Sequence, residues 1–169
     1  MQILRLTSAD ASVFQELRLA GLQDDSSAFG SSYEEEKDFS ASIIEVRLAA
    51  RSDQGTFGAF EQDLLVGLVS FGRERMNKLS HKGRIWGMYV KPEYRGQGVA
   101  RALLAEALAF VRSFPELKQV NLSVNASNAA ALHLYESLGF TQFGREPDAL
   151  FTNGVLHDEI LMYLRLAKA

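Results

Sequence analysis

Length, composition and charge already exclude several functions. The chain has 169 residues, 47% of them hydrophobic and 23% charged, which is typical of one soluble globular domain. Eighteen Lys and Arg residues against 21 Asp and Glu residues give a formal net charge of −3. A protein that mainly coats nucleic acid needs surplus cations, so no nucleic-acid partner is expected. The absence of cysteine excludes disulfides, thiolate metal sites and a cysteine acyl-enzyme.

The sequence predicts no metal site and no membrane partner. His81, His133 and His157 lie far apart in the chain, without the short helical spacing of a histidine metal site. The N-terminal residues contain no apolar signal core, and no apolar run approaches the ~20 residues that span a bilayer. We therefore expect a cytoplasmic protein.

Hydrophobic periodicity predicts the element order β-α-α-β-β-β-α-β-α-β-β. The predicted strands are segments 2–6, 56–60, 64–71, 84–90, 119–124, 140–145 and 155–166. The predicted helices run from N-cap candidates in residues 7–10 to near Gly21, onward from Ser40, from Gly98 to Ser113 and from Asn128 to Leu138. No repeat or linker interrupts this order. We expect a single α/β domain over residues 1–169, with a mixed, mostly antiparallel sheet of about seven strands.

A glycine loop lies between the predicted strand 84–90 and the helix that begins near Gly98. The first turn of a helix presents unpaired N–H groups, and Gly96 and Gly98 would let an anion approach them. Arg95 and Arg101 flank the loop and can add charge-assisted hydrogen bonds. The pattern favours a phosphate site, and a tight turn that simply requires glycine is the alternative.

Two common phosphate-binding motifs do not fit this loop. The P-loop motif is absent from the chain. A dinucleotide fold needs a third glycine where Arg101 stands, and its ribose-binding acid should follow the next strand. Glu116 precedes that strand and Asn125 follows it. The dinucleotide interpretation is therefore rejected.

Two sequence blocks carry a more specific resemblance. The first reads Arg95-Gly96-Gln97-Gly98-Val99-Ala100, and the second reads Asn128-Ala129-Ala130-Ala131-Leu132-His133-Leu134-Tyr135-Glu136-Ser137-Leu138-Gly139-Phe140. The first resembles the acetyl-CoA signature of the GNAT superfamily of N-acetyltransferases, Arg/Gln-x-x-Gly-x-Gly/Ala. The second is similar to the family's Asn-x-x-Ala-x-x-Leu-Tyr-x-x-x-Gly-Phe helix. The blocks and the elements between them cover roughly residues 84–140.

The resemblance implies a cofactor site between two splayed parallel strands. The pantetheine arm of acetyl-CoA would lie along Met88, Tyr89 and Val90. The pyrophosphate would bind backbone N–H groups at the end of the glycine loop and the start of the next helix. These belong to Gln97, Gly98, Val99, Ala100 and Arg101. Arg95 would shape the loop with Gly96, and Asn128 would contact the cofactor with its side chain. Tyr135 stands at the position that family members commonly use as the general acid. Without the resemblance, an aromatic residue on an apolar helix face would be predicted simply to pack in the core.

The general base is open at this stage. Many relatives place a glutamate on the strand before the loop, but residues 84–90 contain no carboxylate. The remaining candidates, besides bulk water, are Glu34, Glu35, Glu36, His157, Asp158 and Glu159. We expect the acidic run 34–36 to be a solvated helix face. Trp86 is expected in the core.

The resemblance implies an N-acetyltransferase that moves an acetyl group from acetyl-CoA to a primary amine by direct attack in a ternary complex. The acceptor would be an amine-bearing small molecule or peptide, and a homodimer is consistent with the fold. The alternative is a CoA-binding sensor or interaction module with little turnover. Replacement of Tyr135 by Phe would separate the two.

Overall fold

The computed structural model describes residues 1–166. Its strands are β1 (Gln2–Arg5), β2 (Gln54–Glu61), β3 (Leu64–Arg73), β4 (Lys82–Val90), β5 (Gln119–Asn125), β6 (Thr141–Thr152) and β7 (Val155–Arg165). Its helices are α1 (Ala11–Asp24), α2 (Tyr33–Glu36), α3 (Ala41–Leu48), α4 (Val99–Arg112) and α5 (Ala129–Ser137). Residues 167–169, the end of the predicted domain, lie outside the described residues.

The seven strands form one sheet in the order β1-β2-β3-β4-β5-β7-β6. Each neighbouring pair is antiparallel except β4 and β5, which run parallel. A parallel pair needs a crossover connection, and α4 supplies it between β4 and β5. The mixed, mostly antiparallel α/β fold and its parallel pair confirm the predicted fold class.

Two hydrophobic clusters cover the two faces of the sheet. Helix α4 buries Leu103, Leu104 and Ala107 at helical spacing against one face. The opposite cluster joins α1 and α3 to the sheet through Leu17, Ile44 and other buried side chains. A sheet with apolar side chains on both faces needs a helical layer on each, which explains this three-layer arrangement.

The C-terminal hairpin is longer than predicted. The predicted strand 140–145 continues as β6 to Thr152, and Asp148 adopts a φ of 52°. The register shifts between Glu146 and Leu150. The Asp158 carboxylate stabilises this bulge, because its Oδ1 accepts a hydrogen bond of 2.9 Å from the Asp148 N–H. The sequence prediction ended the strand too early because the Glu146-Pro147-Asp148 segment reads as a turn.

Candidate active site

The parallel strands β4 and β5 separate soon after they meet. Their pairing consists of Lys82 with Gln119, Gly83 with Val120, and Arg84 with Asn121. Beyond these pairs, β4 continues to Val90 and β5 to Asn125. Backbone N–H and C=O groups on the facing edges therefore open onto a cleft, where they can bind a ligand that carries amide groups.

A β-bulge lies in β4 where the two strands diverge. Between the pairs Leu68–Tyr89 and Ser70–Trp86, β4 contains one more residue than β3. Gly87 lies in this insertion with a φ of 67°, a conformation that favours glycine. Bulges bend a strand and increase its twist, so this one directs β4 away from β5.

The cleft between the strands continues into a cavity of about 830 Å³. Of the residues implied by the family resemblance, the following line it: Met88, Tyr89, Val90, Arg95, Gly96, Gly98, Val99, Ala100, Arg101, Asn128 and Tyr135. Gln97 does not line it, and its Nε2 instead donates to the Glu93 carbonyl at 2.9 Å. Trp86 also lines the cavity and is 42% exposed. The expectation that Trp86 fills the core is therefore wrong.

The N-terminus of α4 forms one end of the cavity. Its first intrahelical hydrogen bond runs from Ala102 to the Gly98 carbonyl, at 3.0 Å. The N–H groups of Val99, Ala100 and Arg101 therefore have no acceptor within the helix. No side chain among residues 1–166 caps this terminus, and Gly98 precedes it with a φ of 83°. The positive end of the helix dipole is free to bind an anion.

Arg95 connects the glycine loop to the end of α1. Its Nε donates to the Val90 carbonyl at 2.9 Å, and its Nη2 donates to Asp24 Oδ2 at 2.5 Å. The Tyr89 hydroxyl donates to the same Asp24 oxygen at 3.3 Å. These contacts fix the loop against the sheet, consistent with the loop-shaping role that the resemblance implies for Arg95.

Tyr135 and Asn128 extend from α5 and its first turn. Tyr135 is buried beside Phe140, with 5.9 Å between the ring centroids. Its hydroxyl forms no hydrogen bond within residues 1–166, yet it is not among the fully enclosed polar atoms, so it reaches the cavity. Burial raises the pKa of Tyr135 to about 12. Asn128 Oδ1 accepts from the Ala131 N–H at 3.0 Å, which leaves its amide NH₂ available to a ligand.

Glu36 is part of a buried ionic cluster. It is 3% exposed, and its carboxylate accepts hydrogen bonds from Arg18, Ser31 and Arg47. Burial alone would raise the pKa of Glu36, but the hydrogen bonds from Arg18 and Ser31 and the Arg18 charge outweigh it and lower the pKa to about 2. The expectation of a solvated face is wrong for this residue. A carboxylate so firmly ionised is a poor proton acceptor.

The other predicted base candidates also lie away from the cavity. Three of them contact nearby partners: Glu34 with Lys37, Glu35 with Ser32, and Asp158 with Arg145. Hydrogen bonds from the Asp148 backbone and then from Arg145 lower the pKa of Asp158. His157 and Glu159 are not part of the cavity wall.

The structure adds a segment that the sequence analysis did not single out. Residues 24–29, hereafter the strap, cross from the end of α1 to the far side of the split. The Asn125 side chain, at the end of β5, donates from Nδ2 to the Ser27 carbonyl at 3.2 Å. Asp25 and Ser27 line the cavity. No local pattern could have identified the strap, because Asp24 and Ser27 bind partners about 70 to 100 residues away in the chain.

Within residues 1–166, no helix is long and apolar enough to cross a membrane. No group of three or more His, Asp or Glu side chains in that part of the chain could hold a metal ion. The cavity, at about 830 Å³, is large enough to hold a small-molecule ligand.

The seven-stranded sheet with its split parallel pair matches the fold of solved acetyltransferase structures. A GNAT-family acetyltransferase from Streptococcus pneumoniae superposes with a TM-score of 0.88 at 23% identity, over 98% of this chain and 99% of that one. The structure of yncA from Salmonella typhimurium, solved with its cofactor acetyl-CoA, gives a TM-score of 0.86 at 22% identity, over 100% and 95% of the two chains. At these identities the likeness concerns the fold.

The chain belongs to the acetyltransferase (GNAT) family, whose model matches residues 19–140. It is 33% identical over 107 residues to a spermidine N(1)-acetyltransferase of Vibrio cholerae, covering 63% of this chain and 60% of that protein. It is 49% identical over 61 residues to a mycothiol acetyltransferase of Thermobispora bispora, covering 36% of this chain and 20% of that protein. The chain thus matches less than two thirds of each relative's length.

Proposed function

We propose that the protein is an acetyl-CoA-dependent N-acetyltransferase that moves an acetyl group to a primary amine by direct attack in a ternary complex. One observation carries the proposal: a single cavity contains the open strand edges, the free N-terminus of α4 and the Tyr135 hydroxyl. These features match the three parts of an acyl-CoA thioester, namely an amide-bearing arm, a pyrophosphate and a sulfur leaving group. Family membership supports the same reaction.

The proposed cofactor pose follows the cavity wall. The pantetheine amides pair with the backbone of Met88, Tyr89 and Val90, where β4 has no partner strand on the side of β5. The pyrophosphate accepts hydrogen bonds from the N–H groups of residues 98–101 at the start of α4, which line the cavity. Asn128 contributes its free amide NH₂, and Arg101, whose Nη2 donates to Ser137 Oγ at 2.6 Å, adds positive charge nearby.

The chemistry requires a proton donor for the leaving sulfur. The amine nitrogen forms a bond to the thioester carbon, and the resulting oxyanion accepts a hydrogen bond from the backbone N–H of Tyr89 or Val90. The C–S bond then breaks, and Tyr135 gives its proton to a thiolate whose conjugate pKa is ~8.5. With a pKa of about 12, Tyr135 is fully protonated at neutral pH. The pKa difference alone does not favour this transfer, so the proposed role requires the hydroxyl to lie within hydrogen-bond reach of the sulfur when acetyl-CoA is bound.

The acceptor belongs to the amines carried by small molecules or peptides. Spermidine and ribosomal-protein alanine appear in the names of proteins similar to this chain. A second cavity of about 470 Å³ lies between α2 and the tip of the β6–β7 hairpin and shares Phe29 with the first. We infer that the acceptor approaches from this side. The proposal includes a cytoplasmic location and a homodimer, the latter to be tested by light scattering.

Replacement of Tyr135 by Phe tests the proposed acid. We expect kcat to fall by about 10²- to 10⁴-fold, because a positioned acid contributes that much, while the Kd of acetyl-CoA stays within about twofold. Thiol release from acetyl-CoA measures kcat, and the cysteine-free protein gives no background. Titration calorimetry measures the Kd.

Tyr163→Phe is the matched control, because Tyr163 lies on β7 beside Phe143 and outside the cavity wall. Its turnover should equal that of the wild type. If Tyr135→Phe turns over at the wild-type rate, Tyr135 is not the acid. If the wild type binds acetyl-CoA but acetylates no amine, the protein is a CoA-binding sensor or interaction module instead.

A further inference from the structure

The cavity wall contains a single carboxylate. Among the described residues that line it, Asp25 is the only Asp or Glu, and no His or Lys accompanies it. The reaction proposed above needs a group that accepts the proton of the attacking amine, since a lysine-like amine has a pKa of ~10.4. Glu34, Glu35, Glu36 and Asp158 are engaged with Arg, Lys or Ser partners, and neither they nor Glu159 lie in this wall.

The strap holds Asp25 over the split between the strands. On one side of Asp25, Asp24 binds Arg95 and the Tyr89 hydroxyl, both of which belong to β4 and its loop. On the other side, the Ser27 carbonyl accepts from Asn125 at the end of β5. Since the neighbours of Asp25 are anchored to both edges of the cleft, its position above the proposed cofactor arm is fixed by the fold.

One oxygen of the Asp25 carboxylate accepts a hydrogen bond within the protein, and the other is available to accept one from a ligand. Its Oδ1 accepts a hydrogen bond of 3.1 Å from the Ser27 hydroxyl, and its backbone N–H donates to the Gly21 carbonyl at 3.0 Å. Oδ2 accepts no hydrogen bond within residues 1–166, and it is not among the enclosed polar atoms of that part of the chain. An oriented carboxylate with one accessible oxygen is suited to receive a proton.

We propose that Asp25 is the general base of the acetyl transfer, an inference that rests on the N-acetyltransferase function proposed above. The amine nitrogen forms the C–N bond and passes its proton to Asp25 Oδ2, while the C–S bond breaks and the sulfur takes the Tyr135 proton. The products are the N-acetyl amine and CoA thiol. Asp25 then releases its proton, and Tyr135 regains one from solvent. The same carboxylate attracts the ammonium form of the acceptor into the cavity, where the ammonium first loses one proton to solvent so that the neutral amine attacks.

Two substitutions of Asp25 test this role. Asp25→Asn keeps the shape but not the basicity, and we expect kcat to fall by about 10²- to 10⁴-fold. Asp25→Ala removes the carboxylate and leaves space, so added sodium formate should restore part of the turnover. Turnover is measured as thiol release with spermidine, a free amino acid and a peptide that begins with alanine. The Kd of acetyl-CoA and the melting temperature should match those of the wild type.

Asp63→Asn is the matched control, since Asp63 is an exposed carboxylate in the β2–β3 turn, and its turnover should be unchanged. Formate rescue separates a base from a structural residue, because a structural loss does not respond to a small carboxylate. The inference is overturned if Asp25→Asn turns over within about threefold of the wild type, or if formate restores nothing to Asp25→Ala. A wild type that binds acetyl-CoA but releases no thiol with any of the three amines overturns the proposed function, and Asp25 with it.

Discussion

Tyr135 and Glu36 are both buried, but the pKa of Tyr135 is raised and the pKa of Glu36 is lowered because their neighbours differ. Tyr135 has no charged partner, so burial keeps its hydroxyl protonated and raises its pKa to about 12. Burial would also raise the pKa of Glu36, but hydrogen bonds from Arg18 and Ser31 outweigh burial and lower this pKa to about 2. At neutral pH the tyrosine is therefore protonated, and the glutamate is a fixed negative charge that binds two arginines.

Replacement of Glu36 by Gln should destabilise the protein in a pH-dependent way. The pKa of Glu36 is about 2 in the folded state against 4.5 for an ordinary glutamate, which corresponds to about 3 kcal/mol. Because the folded pKa is depressed, this stabilisation is present above about pH 4.5 and is lost as the pH falls through about 2. We expect the free energy of unfolding of Glu36→Gln to lie about 3 kcal/mol below that of the wild type at pH 7.

Urea unfolding of both proteins at a series of pH values measures this difference. The two curves should converge as the pH falls from 4.5 toward 2, because a protonated Glu36 resembles the glutamine. A difference that stays constant over this range would show that Glu36 contributes through packing rather than through its charge.

At the scale of the element, the bulge in β4 decides where the sheet opens. Gly87 has a φ of 67°, and a Cβ there would meet only Arg18 Nη1, at 3.9 Å. Gly87→Ala therefore introduces backbone strain with almost no steric clash. We expect a loss of about 1–2 kcal/mol in the free energy of unfolding and a weaker affinity for acetyl-CoA. Urea unfolding and titration calorimetry measure the two effects.

Gly30→Ala is the control for this substitution. A Cβ at Gly30 meets nothing within 4 Å, and the residue does not have a positive φ, so its unfolding free energy should stay within about 0.5 kcal/mol. Equal losses in the two variants, or an unchanged acetyl-CoA affinity in Gly87→Ala, would contradict the role given to the bulge.

Elements with a regular pattern were predictable from the sequence, whereas elements held by distant side chains were not. Helix α4 has apolar residues at helical spacing and a glycine just before it, and both signals are local. The extension of β6 to Thr152 depends on the Asp158 carboxylate across the hairpin. Its sequence reads as a turn, so no local rule predicts it.

The same distinction applies to the candidate site. The glycine loop and α5 were recognisable because each block of residues is contiguous, and Tyr135 came with its block. The strap was not recognisable, since Asp24 and Ser27 acquire their positions from Arg95 and Asn125. Trp86 was misplaced because an aromatic residue in a strand pattern does not reveal that its side chain lies in a cavity wall, where it is 42% exposed.

At the scale of the whole molecule, the two halves of the site belong to the two layers that cover the sheet. The layer that contains α4 and α5 supplies the proposed anion site at the start of α4, together with Asn128 and Tyr135. The layer that contains α1 supplies the strap and Asp25. The split between β4 and β5 is the passage between the layers. A donor and an acceptor that enter from opposite layers would meet in this passage, which is the arrangement that direct transfer requires.

Thermal unfolding with acetyl-CoA, CoA, NADH and ATP in parallel tests the central claim most directly. A ligand at a hundred times its Kd adds ~2.7 kcal/mol of stability, which for a domain of this size raises Tm by very roughly 5–10 °C. We expect this shift with acetyl-CoA and with CoA and not with the other two. A shift with NADH or ATP but with neither CoA species would contradict the assignment of the cavity to an acetyl-CoA site.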